Sequence, residues 1–172
     1  MELTTRLNTI FLMIGPSECG KTTFAKNYLM EALRRNVPEK NYFMNISYLS
    51  SDEIRQELLG HDYDKYANVM LMSSEQAFSL LFEKLKLVTS FPLNADFVVI
   101  DSTGLSNEFR EQVRAIAAEN HYRVEVILFN YKNREDYLHT ERVNRSFQSI
   151  LPVYGEKFYR FCGAKIIMQF TA

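Results

Sequence analysis

At 172 residues the chain has room for one domain with a proper buried core and not for two. Hydrophobic residues make up 47% and charged residues 24%, which excludes a disordered polyelectrolyte, and the net charge of -1, from 20 basic and 21 acidic side chains, excludes a global positive field for a long polyanion. Two cysteines, Cys19 and Cys162, cannot build a disulfide framework, and no Cys/His cluster has the spacing of a structural zinc site.

The first apolar segment, Leu7 to Ile14, reads as a strand. Its core from Ile10 to Ile14 is too short for a signal-peptide core or a membrane span, so the expected location is cytoplasmic, with no membrane partner. Directly after it comes Gly15-Pro16-Ser17-Glu18-Cys19-Gly20-Lys21-Thr22, a full match to GxxxxGK[ST] between a strand and a helix. Such a loop turns successive backbone N–H groups around phosphates, and the helix that follows adds the positive end of its dipole. Lys21 is placed to reach the β and γ phosphates of ATP, the Thr22 hydroxyl to take one position on Mg2+, and Thr23 to close the phosphate-binding set. The alternative is a glycine turn before a helix that happens to contain lysine. Glu18 stands where many such loops have glycine or a small residue, and its carboxylate has to face solvent to avoid repelling a triphosphate.

Apolar spacing predicts an amphipathic helix over Thr22 to Leu33, then a second strand over Tyr42 to Leu49. That strand runs into Leu49-Ser50-Ser51-Asp52 and a helix with Ile54, Leu58 and Leu59 on one face. Ser51 or Asp52 suits the N-cap. Asp52 also suits a general base, because the end of this strand lies beside the mouth of the phosphate loop in such an architecture. Arg55, three residues on, shares its face and is either a surface arginine or a bidentate grip on an acceptor phosphate.

A helix over Ser74 to Val88 follows, then the continuous apolar strand Phe97 to Ile100, which fits burial on both faces. It closes on Asp101-Ser102-Thr103-Gly104, so Asp101 is either a chance acid after an apolar run or a second Mg2+-organising carboxylate. A third helix is predicted from Asn107 to Glu119, N-capped by Ser106, followed by strands at Val124 to Phe129 and Ala164 to Phe170. Between those two strands, Glu141-Arg142-Val143-Asn144-Arg145 is either a solvated helix face or a cationic lid over ATP. Strands alternating with helices imply right-handed crossovers and a mainly parallel five-stranded sheet in a three-layer α/β/α sandwich, with ligands at the carboxyl ends of the strands.

Taken together, Ser-Ser-Asp-x-x-Arg at Ser50 to Arg55, Asp-Ser-Thr at Asp101 to Thr103 and the late arginines resemble the polynucleotide 5′-kinase family, in particular the N-terminal kinase domain of bacterial polynucleotide kinase-phosphatases of RNA repair. The resemblance covers nearly the whole chain. It implies a single P-loop kinase domain over 1–172 with a small helical lid at about 133–161, ATP as phosphate donor and Mg2+ as cofactor. It makes Asp52 the general base for a 5′-hydroxyl, Arg55 and Thr103 acceptor-side residues, and Arg142 and Arg145 the lid arginines. The implied partner is the 5′-OH end of a nucleic acid with a short footprint, and fusion to further repair domains is compatible with it. The chain departs from the family pattern in three places. Arg142 and Arg145 stand three apart rather than four, Gly104 replaces a common asparagine, and Glu18 is unusual in the loop. A P-loop small-molecule kinase and a nucleotide-binding regulatory module are the competing readings.

Overall fold

The computed structural model describes residues 6–15, 20–35, 43–60, 69, 72–104 and 106–129, together with the backbone of a strand at 166–170. Five parallel strands form one sheet: β1 (Thr9–Ile14), β2 (Ile46–Ser50), β3 (Phe97–Asp101), β4 (Arg123–Phe129) and β5 (Ile166–Phe170), in the order β2-β3-β1-β4-β5. Among the described residues, four helical segments of four or more residues lie between β1 and β4 in the chain. The segment at 21–35, here α1, starts as an α-helix over Lys21–Phe24, widens to a π-helical stretch over Ala25–Leu29 and returns to α-helix over Met30–Arg35. The others are α2 (Ser51–Leu59), α3 (Ser74–Thr89) and α4 (Asn107–Glu119).

Side chains of successive strand residues point to opposite faces, and this sorts the sheet into two cores. Ile10, Leu12, Val98, Ile100, Val126 and Leu128 face α2, α3 and α4, where they meet Ile54, Ala77, Leu81, Leu85, Val113 and Ile116. Phe11, Met13, Val99, Ile127 and Phe129 face α1 and pack on Phe24, Ala25, Leu29 and Leu33. Every residue of β1 and of β3 is buried, as expected for a parallel sheet covered on both sides. This is the three-layer α/β/α P-loop architecture. Among the described residues no helix is long and apolar enough to cross a membrane.

The five expected strands and the four expected helices outside the lid are present, with shifted edges. The first strand opens at Thr9 rather than Leu7, because Asn8 takes a left-handed φ of 58° and Leu7 stays 46% exposed. The second begins at Ile46 rather than Tyr42: Phe43 is 95% exposed, and the Asn45 N–H donates to the Asp96 carboxylate at 2.7 Å before the ladder starts. Of the fifth, expected over Ala164 to Phe170, the described part is Ile166–Phe170. The expectation that Ser51 or Asp52 caps α2 is corrected. Ser50 is the N-cap, its hydroxyl accepting from the Glu53 N–H, so Ser51 and Asp52 are the first helical residues. The α4 bounds and its Ser106 cap, which accepts from the Phe109 N–H, are as expected. The expected lid at about 133–161 lies outside the described residues.

Candidate active site

The site is assembled where β1, β2 and β3 end. The ladders align Met13 with Asp101 and Asp101 with Ser50, so the three strand ends are level. Whatever follows each strand therefore emerges at one edge of the sheet.

After β1 the chain reaches Gly15, whose N–H donates to the Thr103 carbonyl at 3.2 Å and ties the phosphate loop to the segment beyond β3. Gly20 ends the loop with φ +85°, a left-handed turn that favours glycine, and α1 starts at the next residue. Lys21 is only 7% exposed and its Nζ donates to the Gly15 carbonyl at 3.0 Å, so the ammonium is folded back across the loop it serves. Thr23 is exposed at the start of the same helix. Pro16, Ser17, Glu18 and Cys19 lie outside the described residues, as do Arg142 and Arg145.

Thr22 and Asp101 meet directly. The Thr22 hydroxyl donates to Asp101 Oδ2 at 2.5 Å, and the Tyr48 hydroxyl donates to the same oxygen at 2.6 Å. A carboxylate 5% exposed needs such donors, since burying a charge without partners is costly. Burial pushes the Tyr48 phenol far above its ordinary range, and the hydrogen bond to Asp101 and the charge of Asp101 push the same way, so Tyr48 stays a donor. The ammonium of Lys26 lies 4.9 Å from the centre of the Tyr48 ring and pairs with Glu53 at 2.6 Å, which holds α1 against α2. Hydroxyl and carboxylate oxygens are the hard donors Mg2+ takes, and Mg2+ keeps several waters beside one or two protein ligands. Thr22 and Asp101 fit it. Among the described residues no three His, Cys, Asp or Glu side chains gather into a richer metal cluster.

Two residues beyond Ser50, Asp52 stands in the first turn of α2 with its side chain 53% exposed. Its Oδ1 accepts from Arg55 Nη2 in a close ion pair. Arg55 is largely covered, and its Nη1 donates to the Ser74 hydroxyl at 3.4 Å, so one guanidinium joins the head of α2 to the head of α3. Asp52 and Arg55 are thus brought together as expected, at the strand-end edge that also carries Asp101. Thr103 contributes its carbonyl to the phosphate loop while its side chain stays partly buried.

Sequence reasoning missed three residues here. Tyr48 precedes Ser50 by two on β2, a position whose meaning depends on which strand lies alongside. Gly104 was read only as a replaced asparagine. Its φ is +61°, but a Cβ there would also stand 3.1 Å from the Met13 carbonyl oxygen and 3.1 Å from Ile14 Cγ1, so it packs on the root of the phosphate loop. Its carbonyl accepts from buried Arg110 Nη1 at 2.7 Å. Ser102, 3% exposed, has a hydroxyl without a hydrogen-bond partner among the described residues, a deficit worth about 1–3 kcal/mol if left unfilled.

A glycine-bounded loop after a central parallel strand, a buried lysine at the start of the next helix and a threonine–aspartate oxygen pair define a kinase-like P-loop nucleotide-binding domain. The chain belongs to the family described as AAA domain, AAA_33, whose model matches residues 10–138. No curated protein matches it. Among solved structures it is similar to Kti12 of Chaetomium thermophilum in complex with ADP-AlF3, at 18% identity and TM-score 0.58, covering 95% of this chain and 88% of that one. It is similar to the APS kinase CysC of Mycobacterium tuberculosis in complex with AMPPNP and APS, at 15% identity and TM-score 0.52, covering 98% and 80%. A gluconokinase from Sinorhizobium meliloti 1021 is similar at 15% identity and TM-score 0.50, covering 97% and 83%. At these identities the likeness is one of fold.

Proposed function

We propose that this chain is an ATP-dependent polynucleotide 5′-hydroxyl kinase acting in nucleic-acid repair. The observation that carries the reading is the Asp52–Arg55 pair at the head of α2, level with the Thr22–Asp101 pair. A phosphate loop alone accounts for a nucleotide. An exposed carboxylate beside a guanidinium, at the same edge, accounts for an acceptor that has both a hydroxyl to deprotonate and a phosphate to hold.

In this reading the acceptor O5′ attacks the γ-phosphorus in line, the bond from that phosphorus to the β–γ bridging oxygen breaks, and ADP leaves with the bond's electron pair. The hydroxyl proton passes to the Asp52 carboxylate. Arg55 holds the phosphate on the 3′ side of the terminal nucleotide. Lys21 exchanges its bond to the Gly15 carbonyl for the β and γ phosphates, and Arg142 and Arg145 are assigned the remaining charge on the transferring group. Thr22 and Asp101 would hold Mg2+, which when bound would supply charge neutralisation to the phosphates. The near-neutral net charge suits a footprint of a nucleotide or two at the end, rather than a long electrostatic tract.

The test is a panel of acceptors offered with labelled ATP and Mg2+: 5′-OH RNA and DNA oligonucleotides, nucleosides, sugars and adenylylsulfate. Label on the oligonucleotides supports the reading. Label only on a small molecule makes the chain a small-molecule kinase, and γ-phosphate release that no acceptor changes makes it a regulatory nucleotide-binding module.

A further inference from the structure

Beside the phosphate loop, the segment after β3 and the first turns of α3 and α4 enclose a cleft of about 610 Å3 that the transfer chemistry does not use. Phe78, Phe82 and Phe109 line it with apolar surface, and Glu75 and Glu108, both exposed, and buried Ser102 line the rest of it. Phe78 and Phe82 pack on Phe109 with ring centroids 5.3 and 5.2 Å apart, so the wall is braced rather than loose.

These features select a ligand by chemistry. An aromatic wall takes a flat π-system. Two ionised carboxylates only accept hydrogen bonds, so the ligand has to bring N–H or O–H donors, and a phosphate or carboxylate is repelled. A lipid tail would leave both carboxylates unserved. The cleft also lies within a nucleotide's reach of the acceptor pair. Ser102 directly follows Asp101, and Ser74, the neighbour of Glu75, is the residue that Arg55 holds.

We infer that this cleft receives the base of the acceptor's 5′-terminal nucleotide and favours bases that carry an exocyclic amino group, guanine first. The inference rests on the polynucleotide reading above. Guanine presents a ring N–H and an amino group side by side, which match one carboxylate bidentately. Adenine and cytosine present an amino group alone. Uracil offers a single ring N–H between two carbonyl oxygens, which meet the carboxylates as like charges.

The experiment measures kcat/KM for 5′-OH oligoribonucleotides that differ only at the first nucleotide (G, A, C, U or an abasic residue), with the wild-type chain and with the double variant Glu75→Gln, Glu108→Gln. Both glutamates are exposed, so the variant is expected to fold. The expected result is a 5′-G acceptor used about tenfold better than 5′-U or the abasic end, a margin of the size that one stacked and hydrogen-bonded base supplies. In the double variant that ratio falls toward one. Equal use of all five ends by the wild-type chain overturns the inference and leaves the kinase reading standing. A preference for G that the double variant retains in full also overturns it, because the carboxylates are then not what reads the base. Transfer to none of the five overturns both.

Discussion

Thr22 and Asp101, 79 residues apart in sequence, are joined by a 2.5 Å hydrogen bond across the gap between the start of α1 and the end of β3. One side of this contact belongs to the phosphate loop and the other to the central strand beside it. It makes the proposed Mg2+ site a property of the sheet register, since Asp101 is fixed by pairing with both Met13 and Ser50.

Asp101→Asn removes the charge from this pair while keeping its shape. The expected outcome is a half-saturating Mg2+ concentration raised at least about tenfold and transfer lowered about a hundredfold, as for loss of one preorganised charge at a reacting phosphate. Nucleotide binding without Mg2+ should change less than about twofold. Titrating Mg2+ in both assays checks it, and an unchanged Mg2+ requirement would take Asp101 out of this role.

Tyr48 is expected to act on the same carboxylate from outside. Its hydroxyl shares Oδ2 with Thr22, which leaves Oδ1 for other partners. Tyr48→Phe should lower stability by about 1 kcal/mol, the net value of a partly buried hydrogen bond to a charged group, and raise the Mg2+ requirement several-fold with little effect on Mg2+-free nucleotide binding. The sign of the pH dependence is fixed. The folded-state phenol is raised above its ordinary 10.0, so its contribution is fully present below that pH and is lost only as the pH climbs past it toward the raised value. Denaturant curves for both chains should therefore differ by a constant amount from neutral pH to about 10, then converge and cross above it as the unfolded-state phenol ionises.

The parts of the account that were legible in the sequence are those set by local pattern. The unbroken apolar run of β3, the Ser106 cap and the GxxxxGK[ST] spacing each depend on neighbours in the chain, and β3, the cap and the described ends of the loop stand where the pattern put them. Leu7 and Phe43 are apolar yet exposed, and only the turn at Asn8 and the Asn45–Asp96 contact show why the strands begin later. Ser50, Ser51 and Asp52 are all cap-forming residue types, and the pattern favours Ser51 or Asp52; only the extended backbone at Ser50 makes it the cap. Tyr48 and Ser102 have meaning only through strands and helices remote in sequence, which periodicity does not reach.

Gly104 shows the same limit at a single residue. Alanine there should cost at least about 2 kcal/mol, combining left-handed strain with a Cβ pressed on the Met13 carbonyl and Ile14. For a chain of this size that is a fall in Tm of about 4–8 °C. Asparagine tolerates the dihedral but meets the same two atoms, so Gly104→Asn should recover only part of the loss. Thermal melts of the two variants check this, and a Gly104→Asn melt equal to wild type would contradict it.

Arg55 separates acceptor binding from nucleotide binding. Arg55→Lys keeps a charge but loses the fork that spans Asp52 and Ser74. The expected result is a KM for the oligonucleotide raised about tenfold or more with the KM for ATP within about twofold of wild type, read from steady-state kinetics. Equal effects on both would assign Arg55 to the scaffold.

The central claim is that Asp52 takes the proton from an acceptor hydroxyl, and single-turnover transfer of labelled γ-phosphate from ATP to a 5′-OH oligonucleotide by wild type and Asp52→Ala addresses it most directly. Wild type is expected to label the oligonucleotide, and Asp52→Ala to bind ATP within about twofold of wild type while transferring at least about a hundredfold more slowly. Transfer by Asp52→Ala at the wild-type rate would contradict it.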